Sequence, residues 1–171
     1  MKGFCARIVV VCVVAAIAMS SPAAAAWQQN GNNLTPWCAY APKTCSDAAG
    51  GAIVVFQDFD HGYSSPYALR VDGNGNQLWG GVCVPLSWPN TEAAGMCIIP
   101  DGAGGAVVAW QDTRNVGFDV YAQRVSASGA VLWNPSGVPV CTAVAEQTQI
   151  AMVSDDRGGA VIVWTDERNG N

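Results

Sequence analysis

"GGAVVAWQDTRN", residues 104–115, is echoed 54 residues later by "GGAVIVWTDERN", residues 158–169, and 54 residues earlier by "GGAIVVFQDFDH", residues 50–61. A constant interval of this length marks a chain built from tandem copies of one small unit, and that decides the fold before any local feature is read. The register runs well past the phrase. Tyr67 matches Tyr121, Arg70 matches Arg124, Val71 matches Val125, Gly75 matches Gly129 and Trp79 matches Trp133. Phe56, Trp110 and Trp164 form one column, and Asp58, Asp112 and Asp166 another. "WQQNG" at residues 27–31 aligns with "WNPSG" at residues 133–137. The repeat region thus divides into a repeat tail (27–46), a first repeat (47–100), a second (101–154) and a truncated third (155–171).

Within one unit four short extended runs are expected. "MCII" (96–99) is followed by a Gly-rich turn and then by "AVVAW" (106–110), whose consecutive apolar residues predict a strand covered on both faces. "DVYAQRVS" (119–126) alternates, as a partly exposed strand does. "AVLW" (130–133), after the Ser128-Gly129 turn, is the expected fourth strand. No stretch keeps the i, i+3, i+4, i+7 apolar spacing of a helix. Four antiparallel strands in 54 residues is the size of a β-propeller blade, a sheet that cannot bury both faces alone and so repeats its apolar strand in every copy. The expectation is an all-β chain of tandem four-stranded antiparallel β-propeller blades, incomplete at about 2.7 repeats. A β-sandwich of hairpins is the alternative, but it has no need to repeat the same residues at one offset.

The phrase "WQDTR…DVYAQRV…G…LW" resembles a repeat of secreted and surface-attached bacterial proteins, and the resemblance, which covers residues 27–171, implies a β-propeller. Quinoprotein propellers carry a docking motif that "YALRVDGNGNQLW" (67–79) approaches only in its Gly-to-Trp spacing, without the Thr-Gly pair. Propellers host unrelated functions, so the likeness speaks to architecture.

Residues 1–26 read as an export signal. Lys2 and Arg7 open it, residues 8–18 are uninterrupted and apolar, and Ala24-Ala25-Ala26 suits cleavage before Trp27. The apolar run is too short for a membrane span, which needs about 20 residues. The chain is therefore expected to be secreted, extracellular, at the cell surface or periplasmic, with no membrane association after cleavage. The whole chain has 8 basic residues against 13 acidic, a net charge of −5. Without Lys2 and Arg7 the remainder has 6 against 13, a net of −7. Such an acidic chain lacks the basic footprint that binds nucleic acid or an anionic membrane. Cys38, Cys45, Cys83, Cys97 and Cys141 lie beyond the leader. An oxidising compartment permits bridges among them, and a Cys83–Cys97 bridge is expected, because the segment between joins the last strand of one unit to the first of the next.

Candidate chemistry is sparse. Asp112-Thr113-Arg114 and Asp166-Glu167-Arg168 put acid and base on one side of an extended strand, either as carboxylate clamps facing a pocket or as a loop cap with its own counter-ion. Recurrence in each copy favours the second reading, and Asp58-Phe59-Asp60 lacks the Arg. Asp58, Asp60 and His61 are too few donors for a metal centre, and the turns at Asp101 and Asp155 read as Asx-type hairpin chemistry. Trp79, Trp110, Trp133 and Trp164 recur in register and are expected to pack between units. Trp37 and Trp88 fall outside the columns and are the candidates for an exposed ligand platform. One His excludes most nucleophilic triads, so no catalytic residue, metal or cofactor is assigned. The expected function is a non-catalytic module that binds glycan or protein or spaces other domains, closed by further repeats or by self-association. The alternative is part of a glycan-degrading or quinoprotein-like enzyme.

Overall fold

A computed structural model describes residues 9–10, 28, 30–35, 39–59, 63–88, 91–168 and 170. Apart from the backbone of Val9 and Val10, the expected leader lies outside these residues, as do Trp27, Trp37, Cys38, Asp60 and His61. Every regular element among the described residues is a strand. β1 (Val9–Val10) and β2 (Asn32–Asn33) form a short antiparallel pair. β3 (Ala39–Ser46), β4 (Ala52–Asp58), β5 (Ser65–Val71) and β6 (Val84–Pro85) follow one another across a four-stranded antiparallel sheet. β7 (Ala93–Pro100), β8 (Ala106–Asp112), β9 (Asp119–Val125) and β10 (Val138–Cys141) repeat that sheet, and β11 (Gln147–Ser154) pairs with β12 (Ala160–Asp166). The 54-residue offset persists in the hydrogen-bond register: Ala52 faces Val71 as Ala106 faces Val125. Even the bulges recur, with Ala41, Gly95 and Gln149 in left-handed conformation (φ 48°, 54° and 54°) where β3, β7 and β11 each slip register.

Packing between sheets follows from the continuous apolar strands. In β4 and β8 successive residues point to opposite faces, so both faces are apolar and both must be covered. Ile53, Val55 and Ala68 of the first sheet meet Met96, Val108, Trp110 and Tyr121 of the second. The second sheet's other face, through Ala109, Val120 and Ala122, meets Ile150, Met152, Ile162 and Trp164. On the first sheet's remaining face Leu34 and Cys83 cover Val54, Phe56 and Leu69. β7 lies beside both β3 and β11, so the first strand of each sheet neighbours the first strand of the next.

Two expectations about the strands are corrected. The fourth strand is Val138–Cys141, not residues 130–133. The turn from Ser126, whose N–H bonds the Ala130 carbonyl, returns Val131 to β9 for a single bridge with Val125. Gln123 then caps the Trp133 N–H, and Trp133 leaves the sheet for the next interface. β9 is also nearly all buried rather than half-exposed. Its alternation comes from polar side chains turned inward with partners: Gln123 is fully buried and donates to the Asn134 carbonyl at 2.7 Å.

The expected Cys83–Cys97 bridge is not made, and both thiols are free. Cys83 lies against Leu69 and Leu34, while Cys97 sits on β7 and donates to the Ile150 carbonyl at 3.0 Å. The intervening segment crosses from the outer edge of one sheet to the inner edge of the next. Three strand spacings of about 4.8 Å separate such edges, well over the ~7 Å that a disulfide spans between Cα atoms. Burial, with Asp58 nearby, pushes the Cys83 thiol up to about 11, and burial beside Asp101 and Asp47 pushes Cys45 up to about 12.

Each sheet's first hairpin is held by one aspartate. Asp47 Oδ1 accepts the Ala49 and Gly51 N–H groups, and Asp101 Oδ1 accepts those of Ala103 and Gly105 at 2.8 Å each. Oδ2 of each receives a guanidinium from the third strand, Arg70 on Asp47 and Arg124 on Asp101, both at 2.8 Å. The second glycine of each Gly-Gly pair lets the hairpin close: a Cβ on Gly105 would stand 2.2 Å from the Val125 carbonyl oxygen. Burial pushes the Asp101 carboxyl up, but the N–H groups of Ala103 and Gly105 and the Arg124 guanidinium outweigh it and hold it below the ordinary value. A carboxyl lowered by folding stabilises the fold fully above its unfolded value, about 3.9, and loses that contribution as pH falls through the folded value. The melting temperature should therefore change little from pH 7 to 5 and drop below about pH 4. Asp101→Asn, which keeps the Oδ1 turn but not the charge, should cost about 2 kcal/mol at pH 7 and flatten that acid limb in pH-resolved thermal melts.

Candidate functional site

β4 and β8 end where β5, β7, β9 and β11 begin, so Phe59, Ser64, Glu92, Glu146 and the 113–118 loop lie at one end of the sheets. The repeated Trp-x-Asp-x-Arg phrase lies here. Trp110 Nε1 donates to Asp112 Oδ2 at 2.8 Å, and Arg114 closes on the same carboxylate through Nε (2.8 Å), a terminal nitrogen (2.6 Å) and its backbone N–H (2.9 Å). The guanidinium carbon stands 3.8 Å from the Tyr121 ring centroid. Further donors reach the Ser136 carbonyl of the same repeat and Ser87 Oγ of the one before, tying the two together. Four of its five guanidinium N–H groups are thus taken by the protein, which leaves no pair of donors to clamp a ligand carboxylate. Burial pushes Asp112 up, while Arg114 and Trp110 outweigh it and hold the carboxyl low.

Trp164, Asp166 and Arg168 build the same figure more openly, with the indole at 3.3 Å and the ion pair at 2.8 Å. In the first repeat Phe56 carries no indole N–H, and Asp60 stands in the sequence where Arg114 and Arg168 stand in the later repeats. The clamp reading is not supported by this geometry; the phrase caps a loop and locks units together. The other repeat tryptophans do similar work. Trp79 Nε1 donates across to the Ala127 carbonyl at 3.0 Å, with its ring against Gly129, and Trp133 packs against the cluster of Ala109, Val120, Ala122 and Ile150 at the next interface. Trp88 is 63 % exposed and so remains available to a ligand; Trp37 lies outside the described residues.

The same end holds a cleft of about 350 Å³ between the first two sheets, lined by Gln57, Phe59, Ser64, Glu92, Thr113 and Phe118 with Ala93 and Ala94 at its floor. Gln57 and Ser64 both donate to the Ala93 carbonyl, the latter at 2.8 Å. Thr113 donates its N–H to the Glu92 carbonyl at 3.1 Å and its hydroxyl to the Glu92 carboxylate at 3.3 Å. Phe59 is 45 % exposed and meets Tyr40 edge-on at 4.8 Å. Two rings, an amide, two hydroxyls and one carboxylate can stack on a ligand and exchange hydrogen bonds with it.

None of these lining residues was singled out by motif. The usable signal was divergence between equivalent positions: Phe59 aligns with Thr113 and Glu167, and Ser64 with Phe118. At the next interface Glu146, the counterpart of Glu92, is captured by the Phe118 N–H at 2.7 Å. The chain matches no family model, no curated protein and no solved structure.

Asp112→Ala should destabilise by about 3 kcal/mol, because it leaves the buried Trp110 indole N–H unpaired and the half-buried Arg114 guanidinium without its counter-ion. Asp166→Ala should cost much less, since the Arg168 side of that pair is open to solvent. Urea denaturation of the two variants checks the contrast; equal losses would contradict it.

Proposed function

We propose that the two four-stranded sheets and the β11–β12 pair are successive blades of a β-propeller, and that the chain is an exported, non-catalytic module that binds glycan. The stack supports the propeller reading: each sheet is a consecutive meander, and first strands neighbour first strands. The cleft carries the functional reading. A sugar ring offers apolar C–H faces to aromatic rings and hydroxyls to amide, hydroxyl and carboxylate groups, and Phe59, Phe118, Gln57, Ser64 and Glu92 supply that set within one small-ligand volume. Trp88, also exposed, offers a second aromatic surface. An acidic cleft also matches a neutral or cationic ligand better than a nucleic acid or an anionic lipid.

Binding of the full chain to a glycan array, followed by titration of the best ligand, tests this reading. Phe59→Ala should weaken binding at least about tenfold, the loss of one stacking ring, with little change in melting temperature. Turnover of the bound glycan, or ligand binding unaffected by Phe59→Ala, would overturn it.

A further inference from the structure

β12 has the sequence of β4 and β8 but not their surroundings. β4 lies between β3 and β5, and β8 between β7 and β9. β12 pairs with β11, and among the described residues no strand lies along its other edge. Val161 and Val163 are accordingly 54 % and 57 % exposed, whereas their counterparts Ile53, Val55, Val107 and Ala109 are fully buried.

Two side chains at this edge are built to receive a strand. Asp155 Oδ1 accepts the Arg157 and Gly159 N–H groups at 2.8 Å each, closing the same turn as Asp47 and Asp101. Its Oδ2 receives no guanidinium among the described residues, although that atom holds Arg70 and Arg124 in the two earlier turns. Arg168 pairs with Asp166 as Arg114 does with Asp112, yet its side chain is 53 % exposed against 19 % for Arg114, which lies over Tyr121.

We infer that the outer edge of β12 is a recognition site for an extended segment of the pattern Tyr-x-x-Arg-Val, taken up as an antiparallel third strand. The registers of the first two sheets fix its placement. Arg70 faces Ile53 and Arg124 faces Val107, so the incoming Arg faces Val161 and reaches Asp155 Oδ2. Tyr67 faces Phe56 and Tyr121 faces Trp110, so the incoming Tyr faces Trp164 and lies beneath Arg168. Main-chain hydrogen bonds supply affinity in strand addition, and the two side-chain contacts select the register. The occupant is a strand from a further unit of this repeat. A second folded copy of the chain cannot supply it, because its own Tyr-x-x-Arg-Val segments are central strands paired on both edges. This inference stands apart from the glycan-binding reading and uses none of the cleft residues.

The test titrates the full chain with a synthetic peptide of its own residues 117–129, beside the same peptide carrying Arg124→Ala. One parent peptide should bind per chain, and the substituted peptide should bind roughly tenfold more weakly, the loss of one charge-assisted pair. Asp155→Asn keeps the Oδ1 turn and so the fold, checked by near-ultraviolet circular dichroism. That chain should bind both peptides equally and at the weaker level. Absence of saturable binding by the parent peptide, equal binding of the two peptides to the unaltered chain, or self-association that the parent peptide does not displace would each overturn the proposal.

Discussion

A four-stranded sheet has two faces, and in this chain both are apolar. Neither hydrogen bonding nor turn geometry can cover the second face; only another sheet or a tail can. The stack follows from that constraint. Trp110 and Trp164 stand on the same face of successive sheets, the first buried and the second half-buried against the aliphatic face before it. Leu34 and Cys83 cover the first sheet's other face, over Val54, Phe56 and Leu69. At roughly 25 cal/mol per Å² of apolar area removed from water, these interfaces dominate the favourable side of folding, and the polar contacts are arranged to leave them undisturbed.

The polar contacts fix geometry within that stack. At one end, aspartates hold hairpins through backbone N–H groups and bind the third strand through arginine. At the other, the Trp-Asp-Arg figure does the same for the loop after the second strand. In Asp47 and Asp101 one oxygen holds the turn and the other the third strand, whereas both oxygens of Asp112 serve Arg114 and Oδ2 also takes the Trp110 indole. Because the loops at the second end are not needed to cover apolar faces, they are free to differ between units, and the cleft lies where they do.

How far the sequence could be read follows from the same division. The period, the antiparallel strands and the inward tryptophans were legible, because the stacking constraint writes the same apolar residues into every unit. The fourth strand was not. "AVLW" has the look of a strand, but Trp133 is bound for the neighbouring interface and Val138–Cys141 pairs instead. The Cys83–Cys97 pairing failed because nearness in sequence says nothing about which edge of a sheet each residue occupies. The cleft residues carry no motif; Phe59 and Ser64 are visible only as departures from their own columns, and a period displays what is shared far better than what differs.

Amide hydrogen exchange compares the stacking account with a purely local one most directly. β8 and β12 carry nearly the same sequence, so local propensity assigns them the same protection, whereas their surroundings differ in both edge pairing and face coverage. The account predicts that Ala106–Asp112 exchanges at least about a hundredfold more slowly than Ala160–Asp166, approaching the global unfolding limit while the latter exchanges by local opening. Equal protection of the two strands in the isolated chain would contradict it.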